Sequence, residues 1–199
     1  MPKLQRIERE PVNGRSLGAD CDNCPLNTCL PIKPFINKNA KLVIIGEAPG
    51  ETEENEGEFF VGSSGQFLKR ACEALDISRT ELHITNTLLC RPRGKMAPAA
   101  WNAAIRACQP RLKKELGQLK TRWAFAVGVR ALQTLSGKKK ITPWVGAPHR
   151  GFEPLLKKDG EVKKNQGLDF SDWSFIATFH PAFMMRPKAM LTSRSFVSS

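Results

Sequence analysis

Four short apolar runs, at residues 41–45, 82–85, 123–127 and 173–178, alternate with stretches in which apolar side chains recur every three or four positions. Runs of that length bounded by polar turns read as buried strands, and the wider spacing reads as helices. Between the first two runs, Phe67, Leu68, Ala71, Cys72 and Leu75 mark one face of a helix over 66–75. Between the second and third, Trp101, Ile105, Cys108, Leu112 and Leu116 mark a longer helix within 97–119, and a short helix over 129–135 follows the third run. Strand and helix alternating in this way predict an α/β fold, a three-layer α/β/α sandwich around a central four-stranded parallel sheet covered on both faces. Residues 138–166, rich in Gly, Pro and Lys, predict a hairpin or loop. Residues 1–40 show little periodicity and predict an irregular segment whose order comes from something other than an apolar core, such as a bound metal. A chain of 199 residues suits one domain over 1–199.

The first predicted strand runs into an unusual turn, KLVIIGEAPGETEENEGEFFVGSSG at 41–65, in which Gly46, Pro49 and Gly50 stop the strand and carboxylates and aromatics crowd together. Open α/β sheets bind ligands beyond the carboxyl ends of their strands. Asn86 and His180 fall at two more such ends. An Asn there offers one acceptor and two donors, enough to read the amide edge of a base, and serves equally as a turn cap. His180, directly after a strand and before Pro181, is a candidate for a positioned imidazole, whereas His83 and His149 read as structural. Phe59 and Phe60 lie in a Gly-bounded stretch and read either as a stacking ring for a base or as local core. Ser63 and Ser64 open a helix, where they cap it or receive a phosphate.

Composition adds a partner class. The formal charge is +12, from 31 Lys and Arg against 19 acids. Six of those acids (Glu47, Glu51, Glu53, Glu54, Glu56 and Glu58) lie within twelve residues, so the remainder is steeply basic and favours nucleic acid. No run of about 18 apolar residues exists and the amino terminus lacks a signal-like apolar stretch, so the expectation is a cytoplasmic protein without a membrane partner. Six cysteines in such a compartment raise metal or redox use rather than disulfides. Cys21 and Cys24 form a CxxC, while Cys90 and Cys108 are separated by seventeen residues. That second spacing fits zinc fingers poorly and an iron–sulfur cluster better. Cys29 competes as a ligand, Cys72 reads as core, and a plain core role for Cys108 stays open at this point.

Taken in order, GEAPG followed by EGEFFVGSSG, ITN at 84–86, CRP at 90–92 with Cys108 downstream, and FHPAFMMRP at 179–187 resemble the iron–sulfur class of uracil-DNA glycosylases, family four, over residues 20–188. The resemblance implies removal of uracil from uracil-containing DNA by base flipping, leaving an abasic site. It implies a 4Fe-4S cluster on Cys21, Cys24, Cys90 and Cys108 that anchors residues 1–40. By motif position it implies His180 as the electrophile, Phe60 as the ring stacked on uracil and Asn86 as the reader of its edge. Glu47 is assigned to positioning water, and Glu53 and Ala48 to the pocket. Met184 and Met185 would wedge into the duplex, with Arg186, Ser63, Ser64, Arg91 and Arg93 near phosphates. The expected assembly is a monomer, with replication or repair proteins as possible partners.

The chain departs from the superfamily pattern at named positions. Ala48 stands where the best-known branch carries a catalytic Asp, and Gly50 stands where that branch has a thymine-blocking Tyr; the chain contains no Tyr. Residues 188–199 are short and Ser rich where relatives continue into an amphipathic helix. No basic, histidine-containing insertion lies between Asn86 and Met96, which favours turnover over covalent trapping. Two alternatives remain at this stage: a non-catalytic uracil or nucleic-acid binding module, and a zinc-stabilised nucleotide-binding protein.

Overall fold

The computed structural model describes residues 13–138, 140–150, 157–158, 161–162 and 173–185. In chain order the elements are β1 (Leu42–Gly46), α1 (Glu51–Glu56), α2 (Ser63–Glu73), β2 (Leu82–Asn86), α3 (Pro98–Leu116), β3 (Trp123–Val127), α4 (Val129–Ser136), β4 (Pro148–Arg150), β5 (Lys157–Lys158), β6 (Glu161–Val162), β7 (Ser174–Thr178) and α5 (Pro181–Met184). The main sheet runs β2-β1-β3-β7-β4, and β5 pairs only with β6. β2, β1, β3 and β7 are mutually parallel, as the sequence predicts. The sheet has five strands rather than four, because β4 adds antiparallel along the free edge of β7, pairing His149 with Phe175. A three-residue strand opening on Pro148 carries no period-two signal, and an edge is where a missing N–H is tolerated.

Alternation along β1 assigns its side chains to two cores. Val43 and Ile45 pack with Leu112, Leu116, Leu132, Leu135 and Phe175 on one face. Ile44 packs with Phe60, Leu68, Leu88, Ile105 and Cys108 on the other. α3 serves both faces, which fixes it against the β2 edge. The face predicted for α2 is wider than the one it buries: Leu68 is inside, but Phe67 and Leu75 are 39% and 70% exposed. The acidic stretch after β1, expected to be a loop, is the helix α1. Glu51, Glu53 and Glu54 in its first turn favour the positive end of the helix, and Gly57, at φ +69°, ends it.

β1 pairs with β2 on one side and with β3 on the other, so the direction of winding reverses between β1 and β3. A crevice opens there at the carboxyl ends of the strands. Among the described residues no helix is long and apolar enough to cross a membrane.

Candidate active site

Asn86 is the last residue of β2 and sits in register with Gly46, the last of β1. The ladder continues past both ends, with Thr87 N–H donating to Gly46 O at 2.8 Å and Leu88 N–H to Glu47 O at 3.0 Å. Gly46 faces the crevice with no side chain because two others occupy that space. A Cβ there would lie 2.5 Å from Phe60 Cζ and closer still to Asn86 Oδ1. The Phe60 ring and the Asn86 carboxamide therefore meet over one glycine. Both residues are buried.

Phe60 pays for its position with a left-handed backbone, φ +57°, a conformation that costs an L-residue about 1–2 kcal/mol. Its surroundings leave it little choice. Gly65, in the first turn of α2, lies so close to the Phe60 carbonyl that any Cβ would collide with it. Arg79 grips the preceding carbonyl, Phe59 O, at 2.8 Å and Glu58 Oε1 at 2.6 Å. Glu53 completes the clamp: Oε2 accepts from Gly50 N–H at 3.1 Å and Oε1 from Gly62 N–H at 2.8 Å. Both of its oxygens hold backbone, so Glu53 ties the turn at Gly50 to the start of α2. Glu47 differs. Its Oε1 accepts from Arg130 N–H at 3.0 Å in the first turn of α4, and no other contact engages its second oxygen among the described residues. Ala48, beside it, is half-buried against the Phe60 face of the core.

His180 follows β7 and caps α5. Its Nδ1 accepts from Ala182 N–H at 3.2 Å, so the neutral ring carries its proton on Nε2. Burial pushes the imidazole below its ordinary range, and the nearby carboxylates of Glu47 and Glu53 offset that only in part. Glu47 and Asn86 thus stand at the ends of adjoining strands, Phe60 meets Asn86 over Gly46, and His180 follows the end of β7 near the Glu47 and Glu53 carboxylates.

Around the rim, α5 packs on α2, the helix that Ser63 and Ser64 open. Gly62, not either serine, is the cap of α2 and supplies no side-chain bond, so the serines stand in its first turn. Met185 is 40% exposed and Met184 is half-buried, while Phe183, to which the sequence drew no attention, is 45% exposed and stacks on Phe179 at 5.3 Å. Arg91 and Arg93 are ion-paired to α1: Arg91 to Glu54 at 3.2 Å and Glu51 at 3.3 Å, and Arg93 to Glu54 at 2.8 Å. Arg186 lies outside the described residues.

Cys21, Cys24, Cys90 and Cys108 come from a 3-10 turn, the segment after β2 and α3, yet line a single cavity of about 310 Å³, together with Cys29. Backbone bonds tie these segments together, Asp20 N–H to Ala107 O at 2.8 Å and Ile32 N–H to Leu89 O at 2.9 Å. Burial, reinforced by Cys108, Cys29, Cys24 and Cys21, pushes the Cys90 thiol up to about 12. Cys72 lines a separate cavity with Leu68, Ile77, Ile84 and the charged Lys69, Glu73 and Arg79, and packs half-buried against the Phe60 face of the core.

A buried polar group links the two regions, and the sequence reading missed it. Arg111 is 1% exposed, and its five N–H donors all have acceptors: Nε to Cys108 Sγ at 3.5 Å, Nη1 to Glu115 Oε2 at 2.7 Å and Thr85 Oγ1 at 3.1 Å, and Nη2 to Thr87 O at 2.9 Å and to Asn86 O. His83, read from the sequence as structural, bonds Glu115 Oε1 through Nε2 at 2.8 Å and accepts from Asn37 N–H at Nδ1. Burial raises the Glu115 carboxyl, but Arg111, His83 and Thr85 outweigh it and hold the group below the usual carboxylate range. The available signal was a charged pair four residues apart inside an apolar helical face.

Residues 33–198 match the model of the Uracil DNA glycosylase superfamily. The type-4 uracil-DNA glycosylase of Pyrobaculum aerophilum is 32% identical over 179 residues, spanning 86% of this chain and 82% of the relative. That of Archaeoglobus fulgidus is 32% identical over 195 residues, spanning 94% and 86%. That of Thermotoga maritima is 27% identical over 175 residues, spanning 85% and 80%.

Proposed function

The chain belongs to the uracil DNA glycosylase superfamily, and from that premise we propose that it excises uracil from DNA by hydrolysing the bond between N1 of the base and C1′ of the sugar, leaving an abasic site. The observation that carries the reading is the meeting of Phe60 and Asn86 over Gly46, an aromatic ring beside a buried carboxamide. A uracil unstacked from the duplex costs a few kcal/mol, and stacking on an aromatic ring returns about 1–3 kcal/mol. The pocket accepts a flipped base, with Asn86 bonding its amide edge.

As the C1′–N1 bond breaks, the sugar becomes cation-like and the pair of bonding electrons leaves with uracil. His180, neutral and protonated at Nε2, donates a hydrogen bond to the base oxygen on which that charge gathers, an interaction that strengthens toward the transition state. Glu47 positions the water that attacks C1′. It is favoured over Glu53 because one of its oxygens remains available while both of Glu53's hold backbone. Met184 and Met185 fill the gap left in the duplex, and Arg186 reaches a phosphate. Arg91 and Arg93 reach phosphates only by exchanging their partners on α1.

Cys21, Cys24, Cys90 and Cys108 are the residues that would hold a 4Fe-4S cluster, and the surroundings suit one. The sulfurs line one cavity, and Leu26 N–H donates to Cys24 Sγ at 3.4 Å and Arg111 to Cys108 Sγ. No three His, Cys, Asp or Glu side chains among the described residues converge on a single ion, whereas cluster thiolates bind separate irons. The cluster would supply a covalent tie between the amino-terminal segment and α3.

The test is release of free uracil from a defined oligonucleotide by cluster-loaded protein. No release, or release unchanged in His180→Ala, refutes the proposal; uracil-dependent binding without release would instead identify a non-catalytic module.

A further inference from the structure

We propose that Arg111 is a positioning residue for base recognition, a buried guanidinium that ties the Cys108 end of the cysteine centre to the peptide carrying Asn86. One planar group donates simultaneously to Cys108 Sγ, to the carbonyls of Asn86 and Thr87 and to the Thr85 hydroxyl, with Glu115 as its counter-charge. The fork is rigid, so a shift at the sulfur is felt at the carbonyl. The carbonyl of Asn86 leaves the peptide from the same Cα as the carboxamide that faces Phe60. Turning that peptide turns the carboxamide. Lys offers three donors from a single nitrogen and cannot span these acceptors.

The same contact works in the other direction. Hydrogen bonds to cluster sulfurs and nearby charge set the potential of an iron–sulfur centre. A cation buried against Cys108 favours the reduced, more negative cluster. Binding at Asn86 and charge at the cluster are then linked, and such linkage is reciprocal. The proposal rests on the reading of the four cysteines as cluster ligands and of Asn86 as the base reader.

Wild type, Arg111→Lys and Arg111→Gln, all purified anaerobically, separate the possibilities. Iron per chain, the cluster's midpoint potential at an electrode, and kcat and KM for uracil release from a single-stranded oligonucleotide are measured on each. The expected result is full iron, a potential shifted downward in Arg111→Gln, and kcat/KM reduced about tenfold to a hundredfold, the size of effect that follows from a misplaced recognition group. A purely structural role would lower thermal stability while leaving the potential of fully loaded protein where it was. Full iron with an unmoved potential or unmoved kcat/KM overturns the coupling and leaves the parent reading intact. Wild type that lacks iron or releases no uracil overturns the parent reading and the coupling with it. If neither variant folds, wild type still decides: saturating free uracil shifts the midpoint potential if the coupling exists, and no shift refutes it.

Discussion

Glu47, just past the end of β1, accepts the backbone N–H of Arg130 at 3.0 Å in the first turn of α4, bridging the two strands between which the winding of the sheet reverses. Glu47→Gln keeps a carbonyl oxygen for Arg130 and loses the anion. The expected outcome is a fall in kcat of about 10²–10⁴-fold with little change in KM, read from steady-state uracil release.

Glu53→Gln gives the opposite pattern. A carboxamide has one oxygen and cannot accept from both Gly50 and Gly62, so one partly buried amide is left facing an N–H₂ group. Stability drops by about 1–3 kcal/mol and KM rises as the Phe60 wall loosens, checked by denaturant unfolding beside kinetics. Equal losses of kcat in the two variants would contradict the division of roles.

Gly46→Ala tests the pocket from its floor. The added methyl overlaps Asn86 Oδ1 and the Phe60 ring, neither of which is a flexible chain end. Uracil release is expected to vanish while cluster content stays that of wild type. Phe60→Leu keeps an apolar side chain but loses the ring face, lowering kcat/KM by about 1–3 kcal/mol of transition-state binding.

His180 sets the acid side of the pH profile. Burial lowers its pKa below the ordinary imidazole value, so the ring stays neutral as pH falls through about 6.5 and the rate holds there. In that window the unfolded chain takes up a proton that the folded chain refuses, so acidification costs stability. His180→Asn removes this cost. A kcat/KM inflection at or above the ordinary histidine value would count against a neutral electrophile.

Glu115→Gln leaves Arg111 and His83 without their shared anion. Stranding a buried partner of this kind costs about 3–5 kcal/mol. The folded pKa of Glu115 is depressed, so its contribution is present above the unfolded value and is lost as pH falls through the folded one. Wild type and variant should therefore converge in stability under acid, a comparison made by denaturant titration at several pH values.

The parallel strands were legible because residues 42–45 and 123–127 are continuous apolar runs, and the placement of Asn86 and His180 at strand ends was legible from the same kind of pattern. The helix at Glu51–Glu56 was hidden because it has no apolar stripe; it is held by its first-turn acids and by the clamp of Glu53. The ion group of His83, Arg111 and Glu115 was hidden for a different reason. It depends on α3 lying along the β2 edge so that a helix turn meets alternate strand residues, a relation no local pattern records. β4 fell below any pattern because three residues carry no period.

The order of the sheet also has a consequence for synthesis. Phe60 and Asn86 leave the ribosome early, and the strand that delivers His180 emerges last yet inserts between β3 and β4. Under the proposed roles, the residues for base recognition are therefore made before the one for bond cleavage, and catalysis becomes a property that only the finished sheet acquires.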